Sequence, residues 1–314
     1  MSAIKVAPQT EAAGIRTGLQ RLWQNERFHY YLMFIPALFL LIGVLYPFSL
    51  GVYTSLTNEK LYLPTSDFVG FDNYKYWFSD RIFRESAKNT AFYVLAVLAI
   101  QIPLGILVAL ILDISTPLRT VFRSVLVLPL LIPPIVAGLM WKTMMHPTSG
   151  VLNWLGSALH LGTFSWLSDP DTALISMVVI DTWVYMPFSA LILLAGLQSI
   201  PVELTEAIKV DGGSDWAVFR HLQLPWLMPY VLLVMLFRSA DAIKTFEIIY
   251  PTTRGGPLNA TRVFHILAYE EAFRWSNIGR AMAIVFILWL LSYVVSTVLF
   301  RIWQRRSEAI QGGA

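Results

Sequence analysis

The chain has 314 residues, of which 56% are hydrophobic and 14% are charged, with a mean hydropathy of +0.59. A soluble domain is about one quarter charged, so this composition excludes a soluble globular protein and predicts one that is embedded in a membrane. The net charge of +3 suits a protein beside anionic lipid and does not suggest nucleic-acid binding, and the absence of cysteine excludes disulfides and thiolate metal sites.

The hydropathy pattern predicts six membrane-spanning helices. A spanning helix needs about 20 apolar residues. Six segments meet this condition, at about residues 31–56, 89–112, 122–145, 172–197, 229–250 and 281–303.

The ends of the chain are predicted to be a basic arm at residues 1–28 and a short tail at residues 305–314. The arm and the apolar run after it are both too long for a cleavable signal peptide, so we expect the first span to be retained. Basic residues beside the first and last spans favour both ends in the cytoplasm, although the outer loops carry nearly as many basic residues.

Prolines interrupt several of the predicted spans, among them the second at Pro103, the third at Pro129, Pro133 and Pro134, and the fourth at Pro187. Each proline removes a backbone donor and kinks or loosens its helix. One proline in a span is more often a packing kink. Three in the third span favour a helix that lines a pathway, because loosened backbone is tolerated at membrane depth beside a water-filled cavity.

A polar loop at residues 198–228 separates the fourth and fifth apolar segments. Pro201 suits the first position of a short helix, and Gly212-Gly213 predicts its end because glycine accepts the left-handed conformation of a helix stop. Ser214 is placed to cap a second short helix, which Pro225 is predicted to end. The sequence therefore predicts two short helices joined at a glycine corner.

The loop resembles the coupling loop, or EAA motif, of the permeases of ABC importers. That pattern is Glu-Ala-Ala, three residues, Gly, nine residues, then Ile-x-Leu-Pro. Here residues 206–212 read EAIKVDG and residues 222–225 read LQLP, so Ile208 replaces the second Ala and Leu222 replaces Ile. The resemblance implies that Glu206, Ala207, Asp211, Gly212 and Gly213 form the contact with a partner ATPase.

Similarity continues over nearly the whole chain after the arm. The segments that carry it are FRSV at 122–125, GVLN at 150–153, GLQSIP at 196–201, TFEIIY at 245–250 and GGP at 255–257. Together they are similar to the MalF-like subunit of sugar, oligosaccharide and glycerol-phosphate importers, in a shorter six-span form. The resemblance implies an all-α permease domain at residues 29–304, of the type I ABC-importer kind, in the bacterial cytoplasmic (inner) membrane with both termini in the cytoplasm.

The family implies a subunit that does no chemistry and forms half of a translocation pathway for a sugar or oligosaccharide. The implied partners are a second permease subunit, two ATP-binding cassette ATPases that hold ATP and Mg, and an extracytoplasmic solute-binding protein. The chain contains no Gly-Lys pair and therefore no P-loop of its own. We expect it to bind neither a cofactor nor a metal.

The resemblance also implies a substrate pathway built from the third, fourth and fifth spans. Asp181, Tyr185 and Phe188 share one face of a helix by their spacing, which agrees with a lined cavity. Carried over from the family, with Asp241 added for its charge, the candidates are Leu130, Pro134, Asp181, Val184, Tyr185, Phe188, Arg238, Asp241, Ala242 and Thr245.

The charges in the fifth span have two interpretations. Arg238 and Asp241 are three residues apart, as are Lys244 and Glu247, so each pair shares a helical face. In the first, they form structural ion pairs. In the second, part of the set lines the pathway, where a cationic Arg238 or Lys244 would favour an acidic sugar or a glycerol-phosphate diester.

Two other functions stay open from the sequence. An ion-coupled secondary transporter would explain charges at membrane depth but leaves the polar loop unexplained. An intramembrane enzyme is the weaker alternative, because the five histidines are scattered and no HExxH or GxSxG motif is present.

Overall fold

The computed structural model describes residues 26–63, 65–114 and 119–311, and most of these residues are helical. The predicted arm at residues 1–28 therefore lies almost wholly outside the described residues. The helices are α1 (Glu26–Ser55), α2 (Asp72–Ser79), α3 (Arg81–Asp113), α4 (Arg119–Leu131), α5 (Pro134–Met144), α6 (Val151–Ala158), α7 (Pro170–Gln198), α8 (Val202–Val210), α9 (Asp215–Val218), α10 (Leu224–Ile243), α11 (Ile249–Thr253), α12 (Phe264–Tyr269) and α13 (Ile278–Gln311).

The structure divides into two compact units at Tyr53 and Thr54. The described part before the division belongs to α1, a long apolar helix whose side chains between Leu38 and Leu50 are largely exposed. All other helices belong to the unit that starts at Thr54, and the site described below lies within that unit.

Within the described residues, five helices are long and apolar enough to cross a membrane, and a bent pair would make a sixth. The bent pair is α4 and α5, which meet at 95°. The third predicted span is therefore not one continuous helix. Pro133 has extended backbone angles (φ −55°, ψ 134°), the conformation that a following proline favours for the residue before it.

Helix α7 lies at the centre of the second unit. In its most apolar stretch, 61% of the residues are buried, against 22% in the corresponding stretch of α3 and 17% in that of α13. It is apolar on all sides, which is typical of a helix buried in the middle of a bundle. It packs against α3, α4, α5 and α10, and so it meets most of the elements that surround the site.

The fifth predicted span differs from the structure at both ends. Helix α10 is continuous with α9 through a π-helical turn at Phe219–Gln223, so one apolar helix runs from Asp215 to Ile243. It then ends seven residues before the predicted end, and residues 244–248 leave the helix before α11 begins.

Candidate functional site

A buried polar network joins α3, α7 and α10. Asp181 on α7 accepts hydrogen bonds from the Tyr93 hydroxyl (2.8 Å) and from Nε2 of Gln101 (2.7 Å), and it forms an ion pair with Arg238 on α10. Nε of Arg238 donates to Oε1 of Gln101 at 2.8 Å. The side chains of Arg238 and Asp181 are 1% and 3% exposed. Their charges therefore compensate each other away from solvent.

The other side of Arg238 faces a cavity. Its guanidinium lies 4.2 Å from the centre of the Tyr185 ring, a cation–π contact, and its Nη1 lies 3.8 Å from Oδ2 of Asp241. Asp241 is also 3.3 Å from Nζ of Lys244. The predicted pairing of Lys244 with Glu247 along a helix is wrong, because α10 ends one residue before Lys244.

The cavity has a volume of about 450 Å³ and opens to the surface. Half of its wall consists of residues that the sequence predicts for the pathway, and these are Asp181, Tyr185, Arg238, Asp241 and Thr245. The other half lies outside that candidate list. It consists of Phe246, Ile248 and His265, together with Lys244 and Glu247, which the sequence left open between structural ion pairs and pathway lining.

The other predicted pathway residues lie elsewhere. Val184 and Ala242 are each 1% exposed and belong to the apolar core between the helices. Phe188 packs edge-on against Phe237, with ring centres 6.1 Å apart. Leu130 and Pro134 lie on either side of the bend between α4 and α5, outside this cavity.

His265 reaches the cavity from a distant part of the chain. Its Nδ1 donates to the backbone carbonyl of Lys244 at 2.6 Å, and its ring lies 5.2 Å from that of Phe246. No local signal marks this histidine, because its partners lie about 20 residues earlier. Phe246 and Ile248 belong to an apolar run that the sequence assigns to the fifth span.

The polar loop between α7 and α10 has the predicted glycine corner. Gly212 has a positive φ of 84° and donates to the carbonyl of Lys209, while Gly213 donates to that of Ile208. This is the Schellman arrangement that ends a helix. The Ser214 hydroxyl accepts from the backbone N–H of Ala217 at 3.3 Å, as predicted for a cap.

The prediction that Pro225 ends the second short helix is wrong. The N–H of Leu224 donates to the carbonyl of Phe219, five residues earlier, so the turn before the proline is wider than an α turn. A proline in an α-helix clashes with the carbonyl four residues before it. The wider turn relieves that clash, and the helix continues.

The loop exposes both charged and apolar side chains. Glu206, Ala207 and Asp211 are exposed, and a Lys209–Asp215 ion pair of 3.1 Å spans the corner. Val210 is 86% exposed.

Comparison with known proteins gives a consistent result. Residues 101–308 match the family described as "binding-protein-dependent transport system inner membrane component". The chain is 34% identical over 267 residues to the trehalose/maltose transport system permease protein MalF of Thermococcus litoralis, covering 84% of this chain and 90% of that protein. It is 32% identical over 274 residues to the sulfoquinovosyl glycerol transport system permease protein SmoG of Agrobacterium fabrum, covering 86% and 89%.

A solved structure shares the fold. A bacterial ABC transporter chain involved in the import of the acidic polysaccharide alginate superposes with a TM-score of 0.78 at 22% identity, over 91% of this chain and 99% of that chain.

Proposed function

This chain belongs to the family of binding-protein-dependent transport system inner membrane components, and we propose that it forms half of the translocation pathway of an ATP-driven sugar importer. The family resemblance predicted from the sequence is confirmed, and so is the all-helical type I permease fold. Membership in this family favours neither the secondary-transporter nor the enzyme alternative.

Membership in this family implies the partners of the chain. A component that depends on a binding protein receives its substrate from an extracytoplasmic solute-binding protein, and one inner-membrane subunit needs a second to enclose a pathway. The chain lacks a P-loop. Two ATP-binding cassette subunits with ATP and Mg therefore supply the energy, and this chain sits in the bacterial inner membrane with both termini in the cytoplasm.

The exposed corner at residues 206–213 supports the coupling role. The Schellman hydrogen bonds at the corner fix the direction of α8. The helix after the corner, α9, runs without interruption into α10. A push on the corner is therefore transmitted along α10 to Arg238 at the cavity wall. Closure of the ATPases would move this helix, and the two permease halves would rock to alternate access.

The cavity supports a sugar as the substrate class. Tyr185 and Phe246 offer ring faces, and Thr245 and His265 offer groups that hydrogen-bond hydroxyls. Relatives are named for trehalose and maltose and for sulfoquinovosyl glycerol.

The ion pairs of the cavity wall favour a neutral saccharide. Arg238 pairs with Asp181 and Lys244 pairs with Asp241, so both cations already have carboxylate partners. An acidic sugar requires a cation free to pair with it. The acidic alternative stays a prediction, and selective loss of acidic-sugar transport in Arg238→Ala would support it.

A cross-linking experiment tests the proposal. The chain has no cysteine, so Ala207→Cys introduces a single thiol at the corner. In a complex shown to transport a saccharide, it should cross-link to the ATPase. Leu258→Cys, at a position that is 88% exposed in the loop between α11 and α12, is the matched control and should not. Capture of the ATPase from Leu258 and not from Ala207 would refute the proposed coupling and orientation.

A further inference from the structure

The charged residues that line the cavity do not cancel one another. Three carboxylates and two cations lie in its wall, and these are Asp181, Asp241, Glu247, Arg238 and Lys244. Asp181 pairs with Arg238, and Asp241 pairs with Lys244. Among the residues that the structure describes, none forms an ion pair or a hydrogen bond with the Glu247 side chain. Glu247 therefore adds an uncompensated negative charge to the cavity wall.

The charges that a ligand can reach are also negative in sum. The Arg238 side chain is 1% exposed, and the ring of Tyr185 lies against its guanidinium at 4.2 Å. Asp241 and Lys244 are 52% and 65% exposed, and Glu247 is exposed as well. A ligand in the cavity therefore meets two accessible carboxylates and one ammonium group, and that ammonium group already has a carboxylate 3.3 Å away.

Packing fixes the backbone on both sides of Glu247. Phe246 stacks on Tyr250 with ring centres 4.8 Å apart, and it contacts the ring of His265 at 5.2 Å. Ile248 is 1% exposed and belongs to the central apolar core. Because both neighbours are held in place, the Glu247 carboxylate starts from a fixed point of the cavity wall. A group that is positioned before the ligand arrives loses less freedom on binding.

The free polar groups of the cavity accept hydrogen bonds. An ionised carboxylate such as that of Glu247 accepts through two oxygens and donates nothing, and hydrogen bonds to a charged acceptor are stronger than those between neutral groups. Nδ1 of His265 donates to the carbonyl of Lys244 at 2.6 Å, so Nε2 of the neutral ring is a second acceptor. The cavity therefore suits a ligand rich in donors, such as the hydroxyls of a sugar, and an anionic ligand is repelled.

We propose that Glu247 determines the charge specificity of the cavity, because it accepts the hydroxyls of a neutral saccharide and repels acidic saccharides. This inference rests on the proposed function, which makes the cavity part of a sugar pathway. Two like charges about 6 Å apart near a protein surface repel strongly enough to weaken binding by about tenfold or more. The same charge attracts a cation, so a saccharide that carries an ammonium group binds at least as tightly as the neutral one.

The test measures charge specificity on the assembled permease and ATPase complex. Calorimetry gives the dissociation constant of each sugar without the binding protein, so the preference of the binding protein does not enter. The probes are maltose, trehalose and cellobiose, each with two derivatives. In one, a CH2OH group is oxidised to a carboxylate, and in the other an ammonium group replaces one hydroxyl. The wild type should bind the neutral sugar about tenfold more tightly than its carboxylate derivative.

Glu247→Gln keeps the size of the side chain and one acceptor oxygen but removes the charge. Its dissociation constant for the neutral sugar should rise about fivefold, and its preference over the carboxylate derivative should fall about tenfold. Glu247→Asp keeps the charge and should keep the preference. Glu85→Gln is the matched control, because it removes a carboxylate that pairs with Arg81 outside the cavity. It should leave every dissociation constant unchanged.

Three results would overturn the specificity role of Glu247. They are a wild type that binds the carboxylate derivative as tightly as the neutral sugar, a Glu247→Gln variant that keeps the wild-type preference, and a Glu85→Gln variant that loses it equally. Equal weakening for all probe charges in Glu247→Gln, together with a lower unfolding temperature, would assign Glu247 a structural role and overturn the proposal too.

Transport separates this proposal from the proposed function. If the wild type with its binding protein transports a saccharide, the proposed function stands whatever the outcome for Glu247. If that complex transports no saccharide of a broad panel, the proposed function fails, and the role of Glu247 in sugar specificity fails with it.

Discussion

Replacing Asp181 with asparagine should strongly destabilise the protein. The carboxylate receives bonds from Tyr93 (2.8 Å) and Gln101 (2.7 Å) and pairs with Arg238, which is 1% exposed. Asparagine has nearly the same shape but no charge, so the guanidinium is left buried without a full counter-charge. Removal of one partner from a buried ion pair costs about 3–5 kcal/mol.

The measurement is a double-mutant cycle on the complex purified in detergent. Asp181→Asn should lower the midpoint of thermal unfolding by about 6–20 °C, since 1 kcal/mol corresponds to about 2–4 °C in a chain of this order of size. Asp181→Asn combined with Arg238→Met removes both charges and should lose at least about 2 kcal/mol less than the sum of the single variants. A fixed heating rate is needed, because such complexes unfold irreversibly.

Asp241→Asn provides the matched control. It removes a carboxylate that also lies near Arg238, at 3.8 Å, but this side chain is 52% exposed. Solvent screens such a pair, and the expected change is about 0–1 kcal/mol. If the two single variants at Asp181 and Arg238 are additive, or if Asp181→Asn behaves like Asp241→Asn, the network is not a coupled buried unit and the reasoning fails.

Two further predictions concern the corner and the segment before α13. Gly212 has a φ of +84°, so Gly212→Ala should strain the corner by about 1 kcal/mol. The amount of sugar transported per ATP hydrolysed should therefore fall in this variant, and it should fall less in Gly212→Asn. An unchanged ratio of sugar to ATP in Gly212→Ala would contradict the coupling role. Burial raises the pKa of Glu271 above its ordinary 4.5. The folded protein therefore binds the proton of the Glu271 carboxyl more tightly than the unfolded protein does. This difference stabilises the fold at pH values below the unfolded-state pKa, and the stabilisation is lost as the pH rises through the folded-state pKa. Glu271→Gln, which keeps an acceptor for the Asn277 amide (2.9 Å), should flatten the pH dependence of the unfolding midpoint over the mildly acidic range, and an unaltered slope would count against it.

Features that depend on local chemistry were predicted well from the sequence. The corner at Gly212-Gly213 and the cap at Ser214 need only the conformational freedom of glycine and one side-chain acceptor, and both are present where expected. Pro225 was misinterpreted, although its chemistry is equally local. The π turn before it depends on five residues that carry no recognisable pattern, so the proline looked like a helix end.

Features that depend on pairing between distant segments were predicted only in part. Charge and helical spacing single out Asp181 and Arg238 as residues of the interior faces. They do not identify Gln101 and Tyr93, which lie 80 and 88 residues from Asp181 and complete its hydrogen bonds. Periodicity within one helix contains no information about which polar side chain of another helix will face it.

The end of α10 lies earlier than hydropathy predicts, and this difference is connected with the proposed function. Hydropathy predicts a helix to residue 250, because the run after Lys244 is largely apolar. A helix that continued would carry Phe246, Glu247 and Ile248 around its axis and away from one another. Because it ends at Ile243, and because the carbonyl of Lys244 accepts a bond from His265 instead, these three residues form one wall of the cavity. Sites where local preference loses to tertiary contacts are commonly functional sites, and here the broken helix is what creates the cavity.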